Sequence, residues 1–308
     1  MTSLRGGVGF EGRKTKRLFQ MPYTVSVSFD KFVENISLTG DHREIANNRK
    51  ERIVSLLEND FTILDSFATG SIPRYTALKG VADLDVMVVL HFGKHIDKKT
   101  PAQVLQAVRD SLGAYRTNVR KNGQAVTLHY ESWPDVDIVP VSRTVNDAGT
   151  VSHYNVPDMN TGNWLISRPR KHSSDLDAKA SICGSQFRQI IRMIKQWNKS
   201  HSELLESYHI EVMALKTFNS SITDFSWAVF QYFDNAAKLA ASSLYHEGDY
   251  VDDYLDWQTR PEVVKRLETA RDKARDAWYE TYNGRGNHKK AIETWRQIFG
   301  DKFPAYGT

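Results

Sequence analysis

The sequence predicts an α+β fold, and three observations carry that prediction. Strand-like apolar runs concentrate before Val141, whereas segments with helical periodicity follow Cys183. A Gly-Ser pair at 70–71 stands ahead of a run that opens Asp83-Leu84-Asp85 and continues as an apolar strand. No internal repeat or low-complexity segment interrupts this order. A sheet lobe against a helical lobe, with a ligand cleft between them, is the architecture such a gradient implies.

Composition narrows the class. A chain of 308 residues can bury a substantial core. Hydrophobic residues at 40% and charged residues at 25% are ordinary for a globular protein. No apolar run is long enough to cross a bilayer and no secretory leader is evident, so a cytoplasmic protein is expected. Cys183 is the single cysteine, which excludes an internal disulfide and a cysteine-rich zinc site. The formal net charge of +4 suits anionic small molecules but does not indicate a long nucleic-acid footprint.

The elements follow in order. Residues 1–20 are Gly-rich and basic, with Arg13, Lys14, Lys16 and Arg17 close together, and are expected to form a disordered tail. Residues 41–59 place Ile45, Ile53, Val54, Leu56 and Leu57 on one side of a helix that Thr39 or Asp41 can cap. Residues 61–67 read as the first strand. Thr100-Pro101 opens a helix, because proline's absent N–H loses nothing at the first position. Val104, Leu105, Val108 and Leu112 give that helix one buried face. A turn at 121–123 precedes a strand over 125–131. Residues 145–177 have little periodicity and many turn formers, which predicts a long functional loop. Asn163 and Trp164 within it are candidate base contacts, and Trp164 serves equally well as a core anchor. Helices follow over 186–199, 204–219, 224–245, 261–282 and 287–299, the last stopping at Gly300. In the first of these, Phe187, Ile190, Ile191 and Ile194 face inward. Arg188, Arg192, Lys195 and Lys199 form a basic stripe on another side, which predicts a solvated face. The chain thus divides into a tail over 1–20, a core over 21–180 and a helical lobe over 181–308.

The chemistry concentrates in GSIPRYTALKGVADLDVMVVL. Strand side chains alternate, so Asp83 and Asp85 project from one face while Leu84, Val86, Val88 and Leu90 line the other. Neighbouring carboxylates resist joint ionisation. A divalent cation resolves that conflict, and hard oxygen ligands suit Mg2+. The Gly70-Ser71 turn can offer backbone N–H groups and a hydroxyl to a phosphate. A third carboxylate, Asp137, stands in DVDIVPV, where Pro140 predicts a strand end or edge.

Gly-Ser, then Asp-x-Asp, then a later strand aspartate resembles the polymerase-β superfamily of nucleotidyltransferases. The fuller wording resembles the bacterial cGAS/DncV-like nucleotidyltransferases, through that stretch followed by VDIVP, IIRMIKQWNK, SYHIEVMAL and AIETWRQIFGDKFP in order. The resemblance implies a polymerase-β-like sheet lobe packed on a helical lobe, with the active site in the cleft. It implies an enzyme that joins ribonucleoside triphosphates, ATP among them, into a cyclic di- or oligonucleotide second messenger, with release of pyrophosphate, in anti-phage signalling. Asp83, Asp85 and Asp137 would be the catalytic metal ligands for two Mg2+ ions, for which Mn2+ can substitute. Gly70, Ser71, Lys195 and Ser207 would hold the donor triphosphate, Tyr208 would stack on a base, and Asn163 would contact one. An effector that senses the product and a regulatory protein are the implied partners, with no membrane and no nucleic-acid requirement. His209 and Glu211 read as internal hydrogen-bonding groups outside the site. Pro73 departs from the commoner family wording and, by removing an N–H, shifts the phosphate grip toward Ser71. Animal cyclic GMP-AMP synthase, a relative of the family, carries a zinc-binding insertion that has no counterpart in this sequence.

Two other readings stay open. Nucleotide transfer onto RNA or protein would call for a basic groove or accessory domain beyond residues 1–20. An inactive nucleotide-binding sensor would have no use for three retained aspartates. A chain beginning at Met21 is expected to fold and make the same product as the full chain. Activity lost at unchanged thermal stability would instead assign an activating contact to the tail.

Overall fold

Thr24 accepts a hydrogen bond from the Val27 N–H and so starts α1 (Val25–Ile36), which buries Val25, Phe29, Phe32 and Ile36. The structure is a computed structural model that describes residues 23–115 and 119–308, and the expected tail over 1–20 lies outside the described residues. α2 (Gly40–Leu57) follows where the periodicity of Ile53, Val54 and Leu57 places it. It leads into β1 (Ile63–Thr69), and the aspartate-bearing strand is β2 (Leu84–Leu90). A short α3 (Phe92–His95) precedes α4 (Pro101–Gly113), which opens on a reciprocal cap between Thr100 and Gln103. The hairpin β3 (Val119–Asn122) and β4 (Ala125–Leu128) runs into β5 (Val136–Val145).

Residues 145–177 are not the long loop the sequence predicts. They contain β6 (Val151–Pro157), β7 (Trp164–Ser167) and the start of α5 (Pro169–Cys183). Their apolar signal is weak because β7 leaves Leu165 and Ile166 exposed and α5 buries only His172, Leu176 and Cys183. Tyr154 and Val156 of β6 and Trp164 of β7 pack inward, and backbone pairing does the rest. The helical half comprises α6 (Gln186–Ser200), α7 (Ser207–Thr217) and α8 (Phe225–Ala240). The hairpin β8 (Tyr245–His246) and β9 (Asp249–Tyr250) separates these from α9 (Thr259–Tyr279) and α10 (His288–Phe299). No helix among the described residues is long and apolar enough to cross a membrane.

The main sheet runs β1-β2-β5-β4-β3, with β6 continuing from β5 and β7 from β6. β2 and β5 pair in parallel and place Asp85 opposite Asp137, whereas the other pairs of this sheet are antiparallel. Pro140 therefore lies within the central strand, not at an end or edge. It is tolerated there because β4 pairs with β5 only as far as Ile138 and β6 takes over at Ser142.

Leu84, Val86, Val88 and Leu90 of β2, with Val136 and Ile138 of β5, pack against α2 and α4. The opposite face carries a smaller cluster of Met87, Val89, Val141, Tyr154 and Val156. A separate, larger core fills the helical lobe. The two cores do not split the chain at residue 180. α1 contributes Phe29 and Phe32, and α5 contributes Leu176, to the helical side. Phe29 meets Trp295 and Phe303 edge to face, with ring centroids 5.0 and 5.2 Å apart. Phe29→Ala is expected to cost about 3–5 kcal/mol in urea unfolding. A loss below about 1 kcal/mol would make α1 peripheral rather than part of the helical core.

Candidate active site

Asp85 and Asp137 each occupy the second position of their strand and are register partners across the parallel ladder. Neighbouring strands lie about 4.8 Å apart, so the two carboxylates emerge side by side. Both leave from the face that carries Met87, Val89, Val139 and Val141, away from α2 and α4. Asp83 precedes β2 by one residue and is exposed. The sequence expectation that Asp83 and Asp85 share one face, with Leu84, Val86, Val88 and Leu90 on the other, agrees with this packing.

Gly70 follows the end of β1 with φ +73°, and a Cβ built there would stand 1.8 Å from Asp85 Oδ2. Any side chain at this position would displace the carboxylate, so only glycine lets the turn backbone lie against it. Residues 71–76 then fold back on themselves through Tyr75 N–H to Ile72 O (3.1 Å) and Thr76 N–H to Ser71 O (3.0 Å). Ser71 thus heads a turn that abuts the aspartates.

Burial, then the neighbouring Asp137 and Asp83, push the Asp85 carboxyl up to about 6, against an opposing pull from Arg74. Asp83 is likewise raised, by burial first and then by Asp137 and Asp135, against His129. Asp137 accepts a hydrogen bond from the Thr127 hydroxyl. A fourth carboxylate, Asp135, pairs with His129 Nδ1 at 2.7 Å and accepts the Tyr130 N–H at 2.8 Å. Against the cost of burial, these bonds hold it below the usual carboxylate range. All-oxygen donors that raise one another's proton affinity fit a hard divalent cation. The three aspartates form an open set. Among the described residues, the group whose ligand atoms all lie within 4.8 Å of one another is instead Asp175, His246 and Glu247, which already has the Lys171 ammonium. An open set suits a cation whose coordination substrate phosphates complete.

The facing wall belongs to α6 and α7, and it corrects the expectation of a solvated basic stripe. Lys195 is buried, with Nζ 2.7 Å from Glu211 Oε1 and 3.2 Å from Thr76 Oγ1. Arg192 donates to the Tyr75 carbonyl at 2.5 Å, and burial followed by repulsion from Arg43 and Arg188 lowers its pKa to about 10. Of the four, Lys199 is the one that lies exposed. The stripe is covered by the 71–76 turn, which no property of the helix itself announces. Glu211 and His209 are internal, as expected. Glu211 has no exposed surface, and His209 Nδ1 lies 2.8 Å from the Tyr254 hydroxyl.

Ser207 is the first residue of α7 and is exposed. Tyr208 is half-buried, its ring edge-on to His172 at 4.7 Å. Burial, then Glu247 and Asp249, push its phenol up to about 12, so it stays neutral. Asn163 sits elsewhere, in the β6–β7 turn, where its carbonyl accepts the Asp158 N–H. That turn docks on the β3–β4 hairpin through Met159 N–H to Gly123 O. The structure brings Gly70, Ser71, Asp83, Asp85 and Asp137 together, and joins Lys195 to their turn through Thr76. It does not join Asn163 to them. Trp164 packs half-buried against the sheet core and serves as an anchor. Sequence reasoning overlooked Arg74, whose Nε lies 3.1 Å from Glu211 Oε2, and passed over Glu211 as a merely internal group. The signal for Arg74 lay in SIPRY, three residues past Ser71.

A Gly-Ser turn folded against two aspartates that a parallel pair of strands holds in register defines a nucleotidyltransferase of the polymerase-β type. Within that class the protein belongs to one family: residues 23–179, just over half of the chain, match the Second Messenger Oligonucleotide or Dinucleotide Synthetase domain. It is similar to a probable cyclic nucleotide synthase of Bacillus cereus (strain VD146), 24% identical over 337 residues that cover 93% of this chain and 99% of the relative. The cyclic AMP-AMP-AMP synthase of Acinetobacter sp. (strain ATCC 27244 / 9458) is 22% identical over 260 residues, or 78% of this chain and 72% of the relative. In fold the chain resembles CdnC of E. coli MS115-1 with ATP, with a TM-score of 0.71 at 19% identity over 90% of this chain and 98% of that one. The complex of CdnC with HORMA-deltaN gives a TM-score of 0.70 at 18% identity, over the same shares.

Without metal, an ionised Asp85 is held against Asp137, so Asp85→Asn is expected to raise the melting temperature by about 3–6 °C at about pH 8 while removing transfer activity. A carboxyl with raised proton affinity in the fold destabilises it above that pKa, and the penalty is relieved as pH falls. The gain from Asp85→Asn should therefore shrink as pH drops through about 6. Thermal scans in EDTA across that range check this. A variant less stable than the parent at the alkaline end would mean that the protein itself neutralises Asp85.

Proposed function

We propose that the protein joins ribonucleoside triphosphates, ATP among them, into a cyclic di- or oligonucleotide with release of pyrophosphate. The observation that supports this most directly is the register of Asp85 with Asp137 beside the Gly70-Ser71 turn. In each round, a ribose hydroxyl of one nucleotide attacks the α-phosphate of another and pyrophosphate leaves. A further round on the linear intermediate closes the ring. Two Mg2+ ions, for which Mn2+ can substitute, would sit on Asp83, Asp85 and Asp137 and stabilise the attacking and leaving oxygens. Asp137, braced by the Thr127 hydroxyl, is suited to assist departure of the acceptor proton.

Ser71 and Ser207 would bond the donor triphosphate, the latter from the N-terminus of α7, where free N–H groups favour an anion. The Lys195 ammonium is already paired with Glu211, so it would act on phosphate from a fixed position rather than as a mobile side chain. Tyr208 would present its ring to a base, a contact worth roughly 1–3 kcal/mol for any base. Asn163 has no part in this reading. The HORMA-deltaN complex of the CdnC relative supports a regulatory protein partner, and a second messenger requires an effector that senses it. Cytoplasmic placement accords with the nucleotide substrates.

The test is incubation with the four ribonucleoside triphosphates and Mg2+, followed by mass spectrometry of phosphatase-resistant products. A cyclic product with one phosphate per nucleoside is expected. Asp137→Ala should lower its formation by more than about a hundred-fold, and Tyr208→Ala should weaken nucleotide binding by about 5- to 150-fold with little dependence on the base. Products extended on RNA or attached to protein would overturn the reading.

A further inference from the structure

Glu211 gathers an unusual set of neighbours for one buried carboxylate. Oε1 accepts from Thr76 Oγ1 at 2.6 Å and from Lys195 Nζ at 2.7 Å. Oε2 lies 2.8 Å from His172 Nε2 and 3.1 Å from Arg74 Nε. Glu211 has no exposed surface, and the Lys195 side chain is 6% and the Arg74 side chain 12% exposed. In direct contact, one carboxylate thus answers two cations in a largely dry wall. A buried excess of positive charge is costly unless something else neutralises it.

The two cations are not equivalent. Lys195 directs its ammonium at Glu211 and the Thr76 hydroxyl. Arg74 approaches Glu211 with Nε, and off the direction of a hydrogen bond. Its two terminal nitrogens make no hydrogen bond to any described residue. The backbone fixes where they stand. Arg74 lies inside the turn closed by Thr76 N–H to Ser71 O, and the next residue, Tyr75, adopts φ 59° and has its carbonyl bonded by Arg192. The turn is therefore pinned on both flanks, by Arg192 outside and by Thr76 to Glu211 inside. Arg74 stands four residues past Gly70, whose backbone lies against the Asp85 carboxylate, and two before Thr76, which accepts from Lys195, so the turn sets the guanidinium between the carboxylates and the buried lysine.

We propose that Arg74 is a phosphate-binding residue of this site, whose terminal guanidinium nitrogens take the β- and γ-phosphate oxygens of a bound nucleoside triphosphate, and that Glu211 is the positioning residue that holds Arg74 and Lys195 toward it. The inference rests on the nucleotidyltransferase reading and specifies which part of the substrate this wall recognises. A guanidinium presents a planar pair of donors that matches phosphate oxygens two at a time. The triphosphate supplies the negative charge that Glu211 alone does not, and pyrophosphate leaves from the same cradle. Arg74 would then discriminate by phosphate count: it serves a triphosphate and has no partner in a monophosphate.

The experiment compares binding of a non-hydrolysable ATP analogue and of AMP, each with Mg2+, by calorimetry on the parent, Arg74→Gln, Arg74→Lys and Glu211→Gln. Arg74→Gln is expected to weaken the triphosphate analogue by about 10- to 150-fold and to leave AMP within about two-fold of the parent. Arg74→Lys should recover part of the loss, because it keeps the charge but not the paired donors. Glu211→Gln should lower the ratio of triphosphate to AMP affinity in the same direction. Should Arg74→Gln fail to fold, Arg74→Lys decides alone, by an intermediate loss confined to the triphosphate. Triphosphate binding equal to the parent in the folded Arg74 variants, or equal losses for triphosphate and AMP, would overturn the proposal. If that happens while the parent binds the analogue and Asp85→Asn loses its metal-dependent binding, only the role of Arg74 falls. A parent that binds no triphosphate overturns the nucleotidyltransferase reading as well.

Discussion

Asp85 and Asp137 repel each other from adjoining parallel strands, and the surrounding architecture accommodates that repulsion. Parallel neighbours cannot be joined by a tight hairpin, so the chain between them must make a long excursion. It does so through α3, α4 and the β3–β4 hairpin. The excursion also covers one sheet face with α4 and leaves the aspartate face toward the helical lobe. Gly70 closes the other side of Asp85, and Thr127 on β4 braces Asp137. The carboxylates are thus held in position by three strands and a turn before any cation arrives. This is pre-organisation at the expense of stability in the metal-free protein.

The helical lobe carries the complementary problem. In direct contact with Glu211 the cations outnumber the carboxylate, whereas around Asp85 the carboxylates outnumber the cations. The two imbalances face each other across the 71–76 turn. A magnesium–nucleotide complex has the charge pattern that fits between them, cation toward the strands and phosphates toward the helices. Each lobe alone therefore holds half of an electrostatic match, and Arg74, Tyr75 and Thr76 are among the residues that reach from one lobe to the other.

Much of this arrangement was legible in the sequence because it depends on local periodicity. The alternation around Asp83 and Asp85 placed their face, and Thr100-Pro101 placed the start of α4. The apolar sides of α2 and α6 placed those helices, and Gly300 marked the end of α10. What stayed hidden depends on partners distant in sequence. Lys195 looked solvated because its cover, residues 71–76, lies far from it along the chain. Pro140 looked like an edge marker because nothing local reveals that one partner strand leaves β5 just before it and another joins just after. β6 and β7 gave a weak apolar signature because they bury few side chains, Tyr154 and Val156 with half-buried Trp164, among polar or exposed neighbours. Asn163 was drawn into the site by resemblance alone, and the β6–β7 turn holds it elsewhere. Arg74 went unnoticed beside the more conspicuous Pro73.

The packing of α1 has a temporal side. Val25 N–H reaches His288 Nδ1 at 3.4 Å, Asn35 bonds the Lys302 carbonyl at 2.9 Å, and Lys31 bonds the Thr308 carbonyl at 3.1 Å. A helix early in the sequence thus finds its neighbours more than 260 residues later. The sheet lobe can assemble while synthesis proceeds, but the helical core stays open until α10 emerges. The wall that carries Lys195 and Glu211 shares that core, so both halves of the charge match exist together only once α10 has been made. A chain cut short before α10 would carry the three aspartates without a finished cleft to use them.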